Sequence, residues 1–149
     1  MKIDLNRKFR DIDDKVEYEM VRDEDEEGTV RVDPQGNFFM KRGRELTLKL
    51  ACIHVLTNPP VERDERGQPK ELKGETKLEY AMFAQRIHKV DGLFEMSADE
   101  IHLLKKLIDK TYRMPLIYKQ ACEALDPHSI KPPKEEEEKE ELSDNPENN

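Results

Sequence analysis

The segment 97–125 constrains the fold more strongly than any other part of this sequence. Ser97 and Glu100 have the spacing of a capping box, in which the serine hydroxyl and the glutamate carboxylate each accept a backbone N–H at the start of a helix. Pro115 suits the first turn of a following helix, and Asp126 precedes a proline that ends it. We therefore predict two consecutive helices here.

The first of these two helices has an unusually broad apolar stripe. Apolar residues recur at three- and four-residue steps, and neighbouring leucines widen the row. A stripe wider than one neighbouring helix needs is a candidate partner-binding face. That face consists of Ile101, Leu104, Leu107, Ile108 and Tyr112. The alternative is that the other helices of the chain cover it completely.

Two more helices precede this pair. Thr47 is a candidate N-cap, and the apolar spacing that begins at Leu48 continues until Asn58 and two prolines stop it. A second periodic pattern occupies 75–92 and ends at Asp91-Gly92. Between them, 59–74 is predicted to be a polar loop.

The N-terminal third has a different pattern. Residues 1–15 are predicted to be an extended lead-in, followed by strands at 16–21, 29–32 and 37–40 that form a small hairpin or meander. We interpret 41–44 as a linker before the first helix.

The fold class predicted from these patterns is mainly α. It is a small bundle of about four helices with a short N-terminal β-hairpin or meander and a disordered acidic C-terminal tail. The predicted divisions are 1–44, 45–126 and 127–149. The tail has three lysines against eight acidic residues and almost no large apolar residue, so it is expected to stay unfolded.

The sequence gives little support for catalysis, metal binding or a membrane location. The histidines at 54, 88, 102 and 128 form no HxxxH, HxxE or HExxH pattern. Cys52 and Cys122 form no CxxC pair and lie in apolar patterns typical of buried thiols. No phosphate-binding glycine motif and no apolar run of spanning length occurs. We expect a non-enzymatic protein without cofactor or metal.

Two basic segments support an alternative function, a small nucleic-acid-binding regulator using 41–49 and 105–113. A net charge of −8 argues against general nucleic-acid binding, since phosphate contacts need clustered Lys and Arg. The candidate contacts are Lys41, Arg42, Arg44, Lys105, Lys106, Lys110 and Arg113.

Several strings occur together in a recognisable order: "MKIDLNRKFRDID", "LTL" opening a helix, "AQRIHKVDG" and "SADEIHLLKKLIDKTYRMPLIYKQACEALD". This order resembles a family of small, mostly uncharacterised proteins of tailed phages and prophages. The resemblance covers roughly 1–13 and 45–126. Residues 16–40 and the tail depart from the family pattern, and the resemblance contains no catalytic motif.

The resemblance, together with the absent catalytic motifs, leads to the functional hypothesis of a protein-interaction module. Its role would be either virion assembly or an accessory interaction with the host. The expected partner is a phage structural protein, a host protein or a second copy of the chain. The expected location is the host cytoplasm, with association with the virion as a second location.

Overall fold

The computed structural model describes residues 1–129, which contain four α-helices and six short strands. The helices are α1 (Leu48–Thr57), α2 (Gly74–Lys89), α3 (Ala98–Thr111) and α4 (Pro115–Leu125). The strands are β1 (Lys2–Asp4), β2 (Tyr18–Arg22), β3 (Met40–Glu45), β4 (Glu62–Arg63), β5 (Pro69–Lys70) and β6 (Leu93–Glu95). A 3₁₀ turn at Pro127–Ser129 follows α4.

The helices begin where the capping signals place them. Thr47 accepts a hydrogen bond from the Leu50 N–H, and both hydrogen bonds of the Ser97–Glu100 capping box are present. Pro115 is in the first turn of α4. The end of α2 differs from the prediction, because the helix stops at Lys89 and the chain is extended at Val90, two residues before Gly92.

The core is centred on α1, which packs against both α2 and α3, while α4 packs on α3. The buried residues of α1 are Leu48, Ala51, Cys52, Val55 and Leu56. Cys52 and Cys122 are free thiols in the interior, as predicted.

The first residues of the chain are part of this core and not an extended lead-in beside it. Ile3, Leu5 and Phe9 are almost completely buried in the same apolar cluster as the helices. β1 pairs antiparallel with β6, with Ile3 opposite Phe94. The predicted division at residue 44 therefore does not separate two cores.

The described strands form three two-stranded antiparallel sheets, β1 with β6, β2 with β3, and β4 with β5. The four predicted helices are therefore present, but the short strands beside them make the described fold mixed and not a simple helical bundle. The predicted polar loop 59–74 contains the β4–β5 hairpin. The predicted tail begins with the 3₁₀ turn, and the rest of it, with its predicted disorder, lies outside the described residues.

The N-terminal strands differ most from the prediction. Segment 41–44, interpreted as a linker, belongs to β3. Segment 29–32 forms only isolated bridges, at Val30 and Val32. The alternation of apolar residues is too short there to define a strand, and each valine forms a single bridge to a residue six positions away, Glu24 or Phe38.

Candidate interaction surface on the β arm

The predicted partner-binding stripe on α3 is largely inside the protein. Four of its members are buried, and Tyr112 at the end of the helix is partly buried. The four are Ile101, Leu104, Leu107 and Ile108. The stripe is broad because α1 and α4 both pack against this helix. It is therefore not an open face of the folded chain, which is the alternative that the sequence allowed.

Six of the seven predicted nucleic-acid contacts lie on β3 and α3, Arg113 is exposed in the connection between α3 and α4, and most of the seven have acidic partners. Three ion pairs are short: Arg44 Nε to Glu19 Oε1 at 3.0 Å, Lys105 Nζ to Asp126 Oδ2 at 3.2 Å, and Lys110 Nζ to Glu62 Oε1 at 2.6 Å. Lys41 is 4.0 Å from Asp23, and Arg42 stacks on Tyr18. Lys106 lies near enough to Glu62 to lower the pKa of that carboxyl, after the larger effect of Lys110. Four of the seven candidate contacts are thus compensated by a carboxylate in an ion pair.

Residues 16–46 form a branched β structure, here called the β arm. Its stem is the β2–β3 ribbon, and two small hairpins close at turns 25–29 and 33–37. Three backbone hydrogen bonds join the branches in a ring. Asp23 donates to Phe39 (2.7 Å), Phe39 donates to Arg31 (3.0 Å), and Arg31 donates to Asp23 (2.9 Å). The arm therefore contains hairpins, as the predicted hairpin or meander requires, but they branch from a three-way junction that the sequence did not predict.

The arm tips use one turn design that recurs elsewhere in the chain. In each copy an aspartate Oδ1 accepts the backbone N–H groups of the second and fourth residues after it, at 2.8 to 3.0 Å. The third residue after the aspartate is left-handed, and it is glycine in three of the four copies, such as Gly28 with φ 81°. The turns start at Asp11, Asp25, Asp33 and Asp64.

One side of the arm exposes apolar and cationic residues together. Met20 pairs with Arg42 and Arg22 pairs with Met40 across the stem, so these four share a side. The Arg22 guanidinium lies 4.1 Å from the ring centre of Phe38, and that of Arg42 lies 5.0 Å from the ring centre of Tyr18. We call this surface the arm face. It comprises Tyr18, Met20, Arg22, Phe38, Met40 and Arg42.

The apolar members of the arm face are strongly exposed for their type. Met20 is 58% exposed, Phe38 47% and Met40 49%. The stem packs extensively on itself, and within residues 1–129 neither of its strands packs comparably against a helix. These side chains therefore contribute little to the core, so core packing does not account for them.

The opposite side of the stem is held by a close backbone approach. A Cβ on Gly43 would lie 2.6 Å from Cγ of Glu19, so only glycine lets that side chain cross β3. Glu19 then accepts from the Arg44 backbone N–H and from Arg44 Nε. Burial opposes ionisation of Glu19, but the hydrogen bonds and charge of Arg44 outweigh it and lower its pKa.

A cleft of about 430 Å³ separates the root of the arm from the helices, and we call it the arm–helix cleft. Leu50 and Ile117 supply its apolar wall on the helical side, and Leu46 extends this wall from the end of the arm. Glu17, Tyr18, Glu19 and Met20 also line it from the arm, and His54, Tyr112 and Met114 lie on the opposite side. Burial, with the neighbouring charge of Glu19, raises the pKa of Tyr112 to about 12, so its hydroxyl keeps its proton at neutral pH.

The three histidines on the described helices do not share a site. His54, His88 and His102 line three different clefts, and Glu100 is engaged in the capping box and with Arg86. Within residues 1–129 there is no group of three His, Cys, Asp or Glu side chains placed to hold a metal ion. None of the helices described is long and apolar enough to cross a membrane.

Comparison of the chain with protein-family models, with curated proteins and with solved structures found no match. The candidate functional features are therefore the arm face and the arm–helix cleft. The sequence patterns missed the arm face, although Phe38, Met40 and Arg42 alternate from the Phe38 bridge into β3. That period-two signal continues past residue 40, where the strand was predicted to end.

Proposed function

We propose that this chain is a non-enzymatic protein-interaction module that binds its partner through the β arm. The supporting observation is the arm face, where Phe38 and two methionines remain about half exposed beside Arg22 and Arg42. Aromatic residues, methionine and arginine are the types enriched at protein–protein interfaces. Trp, Tyr and Arg dominate binding energy there.

The composition of the arm face favours a protein partner over nucleic acid. Arg22 and Arg42 stack on aromatic rings, an arrangement that offers an apolar surface with a charged edge. The other basic residues of the stem, Lys41 and Arg44, have carboxylate partners. Counterion release by such compensated charges is small, so affinity for phosphates would be weak.

The biological setting of the proposal comes from the sequence resemblance to the phage and prophage proteins. The module would act either in virion assembly, with a phage structural protein as partner, or as an accessory protein that binds a host protein. It would work in the host cytoplasm, or stay associated with the virion. Self-association through the arm face is a third arrangement of the same surface.

Photo-crosslinking from the arm face tests the proposal. A benzophenone amino acid replaces Phe38 in the full chain, and a control chain has it at Leu78, which is 61% exposed on α2. We expect a discrete adduct from position 38 and none at the same mass from position 78. Mass spectrometry of phage-producing cells and of purified virions then distinguishes a host partner, a virion partner and a second copy.

Competition with unlabelled chains tests whether the adduct depends on the arm face. Excess unmodified chain should suppress an adduct to a host or virion protein, whereas a chain carrying Met20→Ser and Met40→Ser should not, because those changes remove exposed contact area without touching the core. Identical adducts from both positions, or equal competition by the two chains, would contradict binding through the arm face.

The nucleic-acid alternative has its own test. A gel shift with duplex DNA at low salt should show no complex at micromolar protein. A complex that weakens steeply with salt and is lost when Lys105 and Lys106 are changed to Gln would favour the regulator instead.

A further inference from the structure

Three of the residues that line the arm–helix cleft carry polar groups that make no hydrogen bond or ion pair in the described part of the chain. The Glu17 carboxylate, the His54 ring nitrogens and the Tyr112 hydroxyl make no hydrogen bond or ion pair to any other residue of the described part, 1–129. The His54 and Tyr112 rings are 6.2 Å apart, centre to centre, and tilted by 55°. An apolar cleft with a few convergent polar groups is the usual form of a binding site.

The charge of the cleft lining is negative. Glu17 and Glu19 are its two carboxylates, and Arg44 compensates only the second. Tyr112 adds an aromatic ring beside His54, while the guanidinium of Arg42 already lies over the Tyr18 ring. A ligand that complements this lining carries one positive charge between apolar groups. The acidic segment 134–149 of this chain has the wrong sign of charge to fill it.

The apolar residues of the cleft lining indicate which apolar groups a ligand would carry. Leu46, Leu50 and Ile117 form a fixed aliphatic wall, while Met20 and Met114 are unbranched and adapt to different shapes. The volume of about 430 Å³ falls within the range of ligand sites. It suits a short stretch of side chains from another polypeptide better than a flat contact.

We propose that the arm–helix cleft receives an extended apolar segment of the partner protein that carries one lysine or arginine, with its cation at Glu17. The inference rests on the proposed function and specifies the chemistry of the partner. The arm face would supply the outer contact area, and the cleft would select the sequence. The Tyr112 hydroxyl would donate to the backbone of the incoming segment.

Matched peptides test this assignment on the full chain. The probes are three fluorescein-labelled pentapeptides, Leu-Leu-X-Leu-Leu, in which X is Lys, Gln or Glu, and fluorescence anisotropy measures their binding. We expect the Lys peptide to bind about fivefold more tightly than the Gln peptide, the effect of one partly exposed ion pair, and the Glu peptide to bind weakest. Equal affinities, or tightest binding of the Glu peptide, would overturn the proposal.

Two variants connect the preference to the cleft. Glu17→Gln should abolish the Lys-over-Gln preference, and Glu71→Gln, which changes net charge equally on an exposed residue outside the cleft, should preserve it. Amide shift mapping should place the Lys peptide at Leu50 and Ile117. A preference that survives Glu17→Gln, or shifts that fall elsewhere, would overturn the assignment. An adduct from position 38 that persists in Glu17→Gln would show that the proposed function holds while this inference fails.

Discussion

Truncation of Leu104 measures how much the burial of the α3 stripe contributes to the free energy of unfolding. Leu104 is 0% exposed in the middle of α3. Leu→Ala removes three carbon atoms from a buried site, and at about 0.8 kcal/mol each the lost transfer free energy is about 2.4 kcal/mol. The cavity left behind adds to this, so the expected loss of unfolding free energy is about 2.5 to 5 kcal/mol. Urea denaturation followed by far-UV circular dichroism measures it, with an unchanged m-value as the sign of a clean two-state comparison.

The control is the same substitution at Leu78, which is 61% exposed on α2. Leu78→Ala should change the unfolding free energy by less than about 0.5 kcal/mol, since it removes no buried contact. If Leu104→Ala also costs less than about 1 kcal/mol, the stripe is not packed as described. It would then return as a candidate docking face.

Three further predictions concern the turns, the cleft and the interior thiol. Gly28→Ala should destabilise the β arm by about 1 kcal/mol, because a Cβ is strained at φ 81°. Gly74→Ala at the start of α2 should instead stabilise that helix slightly, and hydrogen exchange of the arm and of α2 measures both effects. The pKa of Tyr112 is raised to about 12, so the stabilising effect of the neutral hydroxyl is complete below about pH 10 and is lost as pH rises toward 12. The urea midpoint should therefore change less between about pH 9 and pH 11 in Tyr112→Phe than in the unchanged chain. Burial raises the pKa of Cys52 to about 12, so iodoacetamide at pH 8 should leave this thiol unmodified until urea is added. Mass spectrometry measures the modification, and labelling of Cys52 in the folded chain would contradict its burial.

The helices were predictable because their signals are local. Thr47, Ser97 and Pro115 each act within one turn of chain, and the structure places a helix start at each of them. The end of α2 was predicted too late because the chain leaves the helix at Val90 to let residues 93–95 pair with β1. That pairing depends on a strand some ninety residues earlier, which no local pattern reveals.

The arm and its face could not be predicted from the sequence either, because they too depend on pairing between separate segments. The sequence of β3, Met-Lys-Arg-Gly-Arg-Glu, has low strand propensity, and its conformation is set by pairing with β2 and by the close approach at Gly43. Whether the α3 stripe was open or covered depended on how many elements pack around it. Sequence spacing gives the width of a stripe but does not say how many neighbours cover it.

The turn design at the arm tips separates the residues that define shape from those that can vary. One aspartate and one glycine specify each tip, and the side chains of Glu26, Glu27 and Gln35 make no hydrogen bond to the turn backbone within the described chain. Substitution of these side chains removes none of the hydrogen bonds described in the turns, so the charge of each tip can be changed while the backbone of the arm stays the same. One inserted residue would instead shift the backbone N–H groups that each aspartate binds, so the tips accept substitution and not insertion.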